Sequence, residues 1–273
     1  MNRASLLLHT FDSSGFGLEI GPSFNPLLPK SAGFRVEILD NMSAEELRQK
    51  YADNPSVDTS KIEEVDYVSN GGSIHALIGK IACYDFIVAS HVVEHTTDML
   101  GFLLDCEKLL NDKGVLVLVV PDKRYCFDVI RPLSTTGAIL QAHIEQRKRH
   151  SAGTVFDEVA YSALRDGKSG WNEHNAGKLT FVHALDKAKT IFENVRDTGA
   201  YMDVHAWQFT PSSFRLIISD LNDIGYLGLR ENYFHPTIDF EFYVTLSKAS
   251  KGCAVTRDSL VKALLQESRN IQS

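Results

Sequence analysis

The chain has 273 residues, 44% of them apolar and 23% charged, which suits a soluble globular protein of one large domain or one domain carrying an insertion. Its formal charge of −7 argues against a broad nucleic-acid surface. Nothing in it approaches the roughly eighteen consecutive apolar residues of a transmembrane helix, so no integral membrane segment is expected.

The N-terminus carries one basic residue, Arg3, and a short apolar run, Leu6-Leu7-Leu8, broken by His9 and Asp12. That is a poor secretory signal. The cysteines at 83, 106, 126 and 253 are scattered, with three of them in apolar patterns. Reduced thiols in a cytoplasmic protein are therefore expected, with neither disulfides nor a metal cluster.

From Phe16 to Pro121 short β-like runs alternate with helical segments. Residues 18–21, 35–40, 65–69, 84–91 and 114–121 read as buried strands, the last two nearly continuous in apolar residues. Between them, 98–111 reads as a helix with Asp98 as N-cap and Gly114 just beyond its end. Strands alternating with helices imply parallel βαβ units in a doubly wound α/β sheet. Residues 122–201 break that rhythm and are too long for a simple connection. We read them as a largely helical insertion within a single domain spanning 1–273. Thr210-Pro211 then starts a helix whose buried face is Phe214, Ile217, Ile218 and Leu221. Two β runs at 229–234 and 240–246, joined by His235-Pro236-Thr237-Ile238-Asp239, form a hairpin that completes seven strands. An amphipathic helix from Arg257 onward closes the chain and offers a face through which two copies could pair.

The segment Gly17-Leu18-Glu19-Ile20-Gly21-Pro22-Ser23-Phe24-Asn25 ends an apolar run in a glycine turn, and Asp40 closes the next run. A strand, a glycine turn and a second strand ending in a carboxylate make a nucleoside-cofactor site, where glycine admits the ligand to the backbone and the acid accepts from ribose hydroxyls. A nicotinamide site would instead use Gly-x-Gly-x-x-Gly, and here Pro22 and Phe24 crowd the loop. Candidate ligand residues fall at the carboxyl ends of predicted strands: Gly21, Asp40, Asn70, Ser90 with His91, and Asp122. That is where open α/β sheets bind ligands. His91-Val92-Val93-Glu94-His95 spells the inverted zinc-protease motif. That motif must lie in one helix and needs a further ligand. Here it begins at the end of a buried strand, so no metal is expected.

The order Leu18-Glu19-Ile20-Gly21-Pro22, Ile38-Leu39-Asp40, Asp85-Phe86-Ile87-Val88-Ala89-Ser90-His91-Val92-Val93-Glu94-His95, and Gly114 to Pro121 resembles the class I S-adenosylmethionine-dependent methyltransferases, of the type 11-like kind. The glycine turn departs from the family pattern, with Ser23 and Asn25 where later glycines usually stand. The resemblance implies a seven-stranded, mostly parallel Rossmann-like sheet with an antiparallel last strand, and S-adenosyl-L-methionine as cofactor. It places Glu19, Gly21, Ser23, Asp40, Asn70, Ser90 and His91 at the cofactor. Val120-Pro121-Asp122-Lys123-Arg124-Tyr125 with Phe127 to Pro132 further resembles bacterial methyltransferases of surface-polysaccharide assembly.

The expected chemistry is O-methylation of a sugar, glycan or other small hydroxylated acceptor held by the insertion. An acceptor hydroxyl benefits from a base, for which His95, His205, His91 and Asp122 are candidates. His95 and His205 could equally be structural. The cluster Arg147-Lys148-Arg149-His150 is either a phosphate contact or a solvated helix face. Three other readings remain: an NAD-dependent sugar-modifying enzyme on a similar sheet, a non-catalytic cofactor-binding module, and a small-molecule methyltransferase acting on nitrogen or carbon.

Overall fold

The computed structural model describes residues 3–175 and 177–269. Its main sheet runs β1 (Gly17–Ile20), β2 (Val36–Asp40), β3 (Tyr67–Val68), β4 (Tyr84–Ser90), β5 (Leu110–Pro121), β8 (Arg230–Ile238) and β9 (Glu241–Ser247) in the spatial order β3-β2-β1-β4-β5-β9-β8. β1 to β5 are mutually parallel, and β9 lies antiparallel between β5 and β8. This is the expected seven-stranded, mostly parallel architecture with an antiparallel last strand.

Period-two alternation decides which side chain goes to which face. Ile87, Ala89, Leu116 and Leu118 join Phe214, Ile217 and Leu221 on one side. The intervening Phe86, Val88, Val117 and Val119 pack with Leu6, Leu7 and Leu28 on the other. The first face is covered by α4 (Met99–Leu109) and α8 (Pro211–Asp223), and the second by α1 (Arg3–Leu8). α4 starts where expected: the Asp98 side chain accepts the Gly101 N–H at 2.8 Å. α8 opens with Pro211 at its first turn, and the Ser213 hydroxyl accepts the Thr210 N–H at 2.8 Å.

Three boundaries differ from expectation. β3 is only two residues long because it sits at the sheet edge with one partner. β5 begins at Leu110, since the 110–113 segment continues into the sheet beside Tyr84 across a register shift. β8 extends to Ile238, absorbing most of the predicted hairpin connection. Pro236 is tolerated there because β8 is the other edge and the pairing slips between His235 and Ile238.

The 122–201 segment contains α5 (Thr136–Ile144), α6 (Ala152–Tyr161) and α7 (Leu185–Thr198), and also a small antiparallel sheet of β6 (Ala163–Arg165) with β7 (Leu179–Phe181). α5 belongs to the main core through Ile139 and Ala142. α6 and α7 build a cluster of their own from Val155, Val159, Ala188 and Val195, closed by Val204. α9 (Arg257–Arg269) lies on α8, burying Leu260 and pairing Arg257 with Asp220 at 2.7 Å, while Leu265 stays exposed. Among the described residues, no helix is long and apolar enough to cross a membrane.

Candidate active site

The β1–β2 side is a loop held by two buried carboxylates. Gly21 takes the left-handed conformation (φ +66°), and a Cβ there would sit 3.0 Å from Val92 Cγ2. Ser23 is also left-handed (φ +50°), with its N–H donated to Asp40 Oδ2 at 2.9 Å and its hydroxyl to Tyr51 at 3.1 Å. Asp40 spends its other oxygen on the Asn41 N–H at 2.7 Å. A carboxylate offers about four acceptor sites, so both oxygens keep capacity for sugar hydroxyls. Burial raises the Asp40 pKa against these amide bonds. Glu19, only 2% exposed, accepts the N–H groups of Leu27 at 2.7 Å and Leu28 at 3.1 Å. Its burial outweighs those bonds and pushes its pKa up to about 7. Glu19 thus shapes the far side of the loop. Asn70 lies exposed in the turn after β3, its side chain accepting the Gly72 N–H at 3.0 Å.

At the end of β4, polar groups converge from distant segments. Ser90 Oγ accepts from Arg3 Nη2 at 2.6 Å. His91 is left-handed (φ +54°), a strain costing on the order of 1–3 kcal/mol that is held by its N–H bond to Val119 O at 2.9 Å. Its Nε2 lies 2.7 Å from Glu241, which also pairs with Arg3 at 2.8 Å. Burial alone would lower the His91 pKa, but Glu241 and Glu94 lift it to about 9. Burial likewise pushes Glu241 up, and His91 with Arg3 carries it down to about 2.

The short 3₁₀ turn Val93–His95 follows, pinned to the 203–209 segment by the Ala206 N–H bond to Glu94 O at 2.7 Å. His95 Nδ1 meets Asp203 at 3.0 Å, and His205 Nδ1 meets Asp128 at 2.5 Å. The two rings stand nearly perpendicular, with centroids 4.5 Å apart. Burial pulls His95 down, yet Asp203 and Glu94 leave its pKa raised. Glu94 between them is fully buried, and neither of its oxygens makes a hydrogen bond.

Two sets of expected residues are therefore brought together: Gly21, Ser23 and Asp40 on one side, and Ser90, His91, His95 and His205 on the other. Asp122 joins neither. Its carboxylate binds Arg124 at 2.9 Å and Thr237 at 2.6 Å, so both oxygens are engaged in closing a turn beneath β5. The basic cluster is also largely committed. Arg147 pairs with Glu145 at 2.6 Å, Arg149 donates to Gly199 O at 2.7 Å, and burial lowers the His150 pKa to about 4. Arg3, Asp128, Asp203 and Glu241 were missed by sequence reasoning. Only Asp203 carried a signal, standing two residues before His205.

A cavity of about 220 Å³ has walls that include Thr97, Ser134, Arg147, His150, Trp207 and Gln208. The segments that carry His95 and His205 supply Thr97 and Trp207 to it.

A family model described as a methyltransferase domain matches residues 6–182. The chain belongs to that methyltransferase family. It is a class I enzyme whose cofactor is S-adenosyl-L-methionine, which sets aside the nicotinamide and non-catalytic readings. The residues present fit that cofactor: a left-handed glycine loop, and Asp40 at the neighbouring strand end with acceptor sites to spare. Solved structures resemble the methyltransferase at low identity. A SAM-dependent methyltransferase from Methanosarcina mazei is 12% identical over 89% of this chain and 96% of its own, with TM-score 0.43. One from Mesorhizobium loti is 12% identical over 89% and 95%, with TM-score 0.45. A protein of Rhodobacter sphaeroides provisionally assigned as a Zn-dependent alcohol dehydrogenase is 15% identical over 90% and 89%, with TM-score 0.45. At these scores the likenesses carry no weight beside the family match. No curated protein matches the sequence.

Proposed function

We propose that this methyltransferase acts on a hydroxyl oxygen of a sugar or glycan. One observation carries the reading: His95 and His205 stand with ring centroids 4.5 Å apart, each anchored at Nδ1 on a carboxylate, on segments that also line a cavity of mixed apolar and hydroxyl- or amide-bearing residues. An imidazole held this way keeps Nε2 as its lone-pair nitrogen, the form that accepts a proton. When bound, S-adenosyl-L-methionine supplies a methyl group already activated for displacement.

The protein's task is then placement and proton removal. Gly21 and Ser23 admit the nucleoside to the backbone, and Asp40 offers acceptors to its ribose. Ser90, with Arg3 bonded to it, lines the end of β4. His95 is the group we assign to accept the hydroxyl proton, a contribution of roughly 10²–10⁴-fold. His91, lifted to about 9, stays protonated near neutrality and serves by organising Glu94 and Glu241. The 220 Å³ cavity suits one small polyhydroxylated ring, with Trp207 as an apolar wall. All four cysteines are free, which fits a reducing cytoplasm. The resemblance of the 120–125 and 127–132 segments supports a place in surface-polysaccharide assembly.

The test is methyl transfer from labelled S-adenosyl-L-methionine to a panel of sugars, nucleotide sugars and amines. An alkali-stable methyl ether on a sugar is the expected product. Label found solely on nitrogen or carbon would overturn the reading.

A further inference from the structure

Glu94, His95 and His205 offer donor atoms that all lie within 4.8 Å of one another. The two histidines are prepared in the same way. Asp203 holds His95 at Nδ1, and Asp128, itself bound to Arg131 at 2.8 Å, holds His205 at Nδ1. A carboxylate accepting from one imidazole nitrogen fixes the tautomer and raises the basicity of the other, the arrangement that metal-ligating histidines show.

Glu94 is the independent sign. It is completely buried with both oxygens unbonded; the imidazole nitrogens in ion-pair range are His91 Nδ1 at 3.4 Å, which does not meet hydrogen-bond geometry, and His205 Nε2 at 3.9 Å. An ionised carboxylate without hydrogen bonds in such a place costs several kcal/mol unless a cation compensates it. His91 compensates only in part, since its closer contact is Glu241 at 2.7 Å.

We propose that Glu94, His95 and His205 form a binding site for one divalent first-row transition metal ion, held by the carboxylate and the two free imidazole nitrogens. Two nitrogens and one oxygen suit zinc, iron, manganese or cobalt; magnesium and calcium prefer oxygen alone. Donors on a tetrahedral ion at ~2.1 Å lie about 3.4 Å apart, so these side chains would close by on the order of an ångström. Three protein ligands leave positions open. A hydroxyl bound there would have its pKa lowered and release its proton to solvent; with the ion bound, His95 acts as a ligand and does not itself take that proton. That role rests on the O-methylation reading, whereas the site itself does not. The expectation of no metal from sequence assumed a single-helix motif; the structure instead puts Glu94 and His95 on a 3₁₀ turn and brings the third donor from the 203–209 segment.

The experiment is titration of the full-length, metal-stripped protein with Co²⁺, read by visible ligand-field absorption and equilibrium dialysis in the absence of any acceptor. About one Co²⁺ per chain with intense visible bands is expected, displaced by Zn²⁺. H95A, whose site is partly exposed, and E94Q should lose more than ~100-fold in affinity, and D203N about 10–100-fold. The exposed His174→Ala should bind as wild type. Circular dichroism of the metal-free variants shows which are folded, and D203N, altered at the surface, carries the question if the others unfold. Absence of stoichiometric binding in the wild type would overturn the site, leaving histidine protons as the partners of Glu94. Undiminished binding in E94Q, H95A or D203N would overturn it equally. A wild type that binds the ion yet methylates only nitrogen would leave the site standing and remove the O-methylation reading.

Discussion

The carboxylates of the β1–β2 loop and those at the end of β4 are almost equally buried, yet they are satisfied in opposite ways. Glu19 and Asp40 receive backbone N–H groups from residues within 17 positions of themselves. Glu94, Asp128 and Glu241 face histidines and arginines brought from 77 to 238 positions away, save for the local proximity of His91 to Glu94 and the local bond of Arg131 to Asp128. The first arrangement is a rigid cradle whose charges are neutralised by the fold. The second pairs carboxylates with ionisable side chains and leaves one carboxylate without a hydrogen bond. The nucleoside part of the cofactor, which does not react, suits the former, and reacting atoms suit the latter.

The largest effect should separate the two regions. His95→Ala removes the proposed proton acceptor while leaving the loop intact. Turnover is expected to fall about 10²–10⁴-fold, with S-adenosylhomocysteine affinity by calorimetry nearly unchanged. Equal losses in both would mean the regions are one unit, and full activity would remove His95 from the mechanism.

The cradle has a pH signature of its own. Glu19 ionises near 4.5 when unfolded but near 7 when folded. Between those values the unfolded chain has already released a proton that the native state retains. Its contribution therefore falls as pH rises through this window, by on the order of 3 kcal/mol, and is flat above and below it. The difference in stability between wild type and Glu19→Gln, measured by denaturant at pH 4.5 and pH 7.5, should shift by that amount. A constant difference would show that Glu19 is ionised in the fold throughout.

A smaller loss, about 2 kcal/mol, is expected for Gly17→Ala. Its Cβ would come within 1.9 Å of the Phe86 ring on the neighbouring strand, and both residues are buried, so β1 must move away from β4. Chemical denaturation reads the loss, and an unchanged midpoint would show that the ring can swing clear.

The contrast also explains what could be read from sequence. The succession of strands along the chain, the cap of α4, the proline start of α8 and the loop residues Gly21, Ser23 and Asp40 are local patterns, set by residues close in the chain. The hairpin boundaries shifted because edge strands tolerate proline, which no periodicity reports. Asp122 sits at a strand end as expected, but its partner Arg124 is two residues away and takes its charge out of play. Arg3, Asp128 and Glu241 are isolated charges in apolar or terminal segments, and only the closed sheet gives them partners. His91-x-x-Glu94-His95 was visible as a spelling, while its third member depended on where the 203–209 segment crosses.

The finest test concerns Asp40, which holds the loop and, in the proposed role, the ribose as well. Asp40→Asn keeps the shape but turns one acceptor into a donor facing either the Ser23 or the Asn41 N–H. One of these amides then loses its partner, and the remaining bond is no longer charge-assisted. Part of that cost falls on the free protein, since the loop is held by the same bond before any ligand enters. The net weakening of S-adenosylhomocysteine binding should therefore be about tenfold, near 1.4 kcal/mol, accompanied by a fall in stability of similar size. Turnover at saturating cofactor should stay close to wild type, because the groups at the end of β4 are untouched. Were the stability loss seen without any change in affinity, Asp40 would be a brace for the loop alone, and the ribose would find its acceptor elsewhere in the crevice.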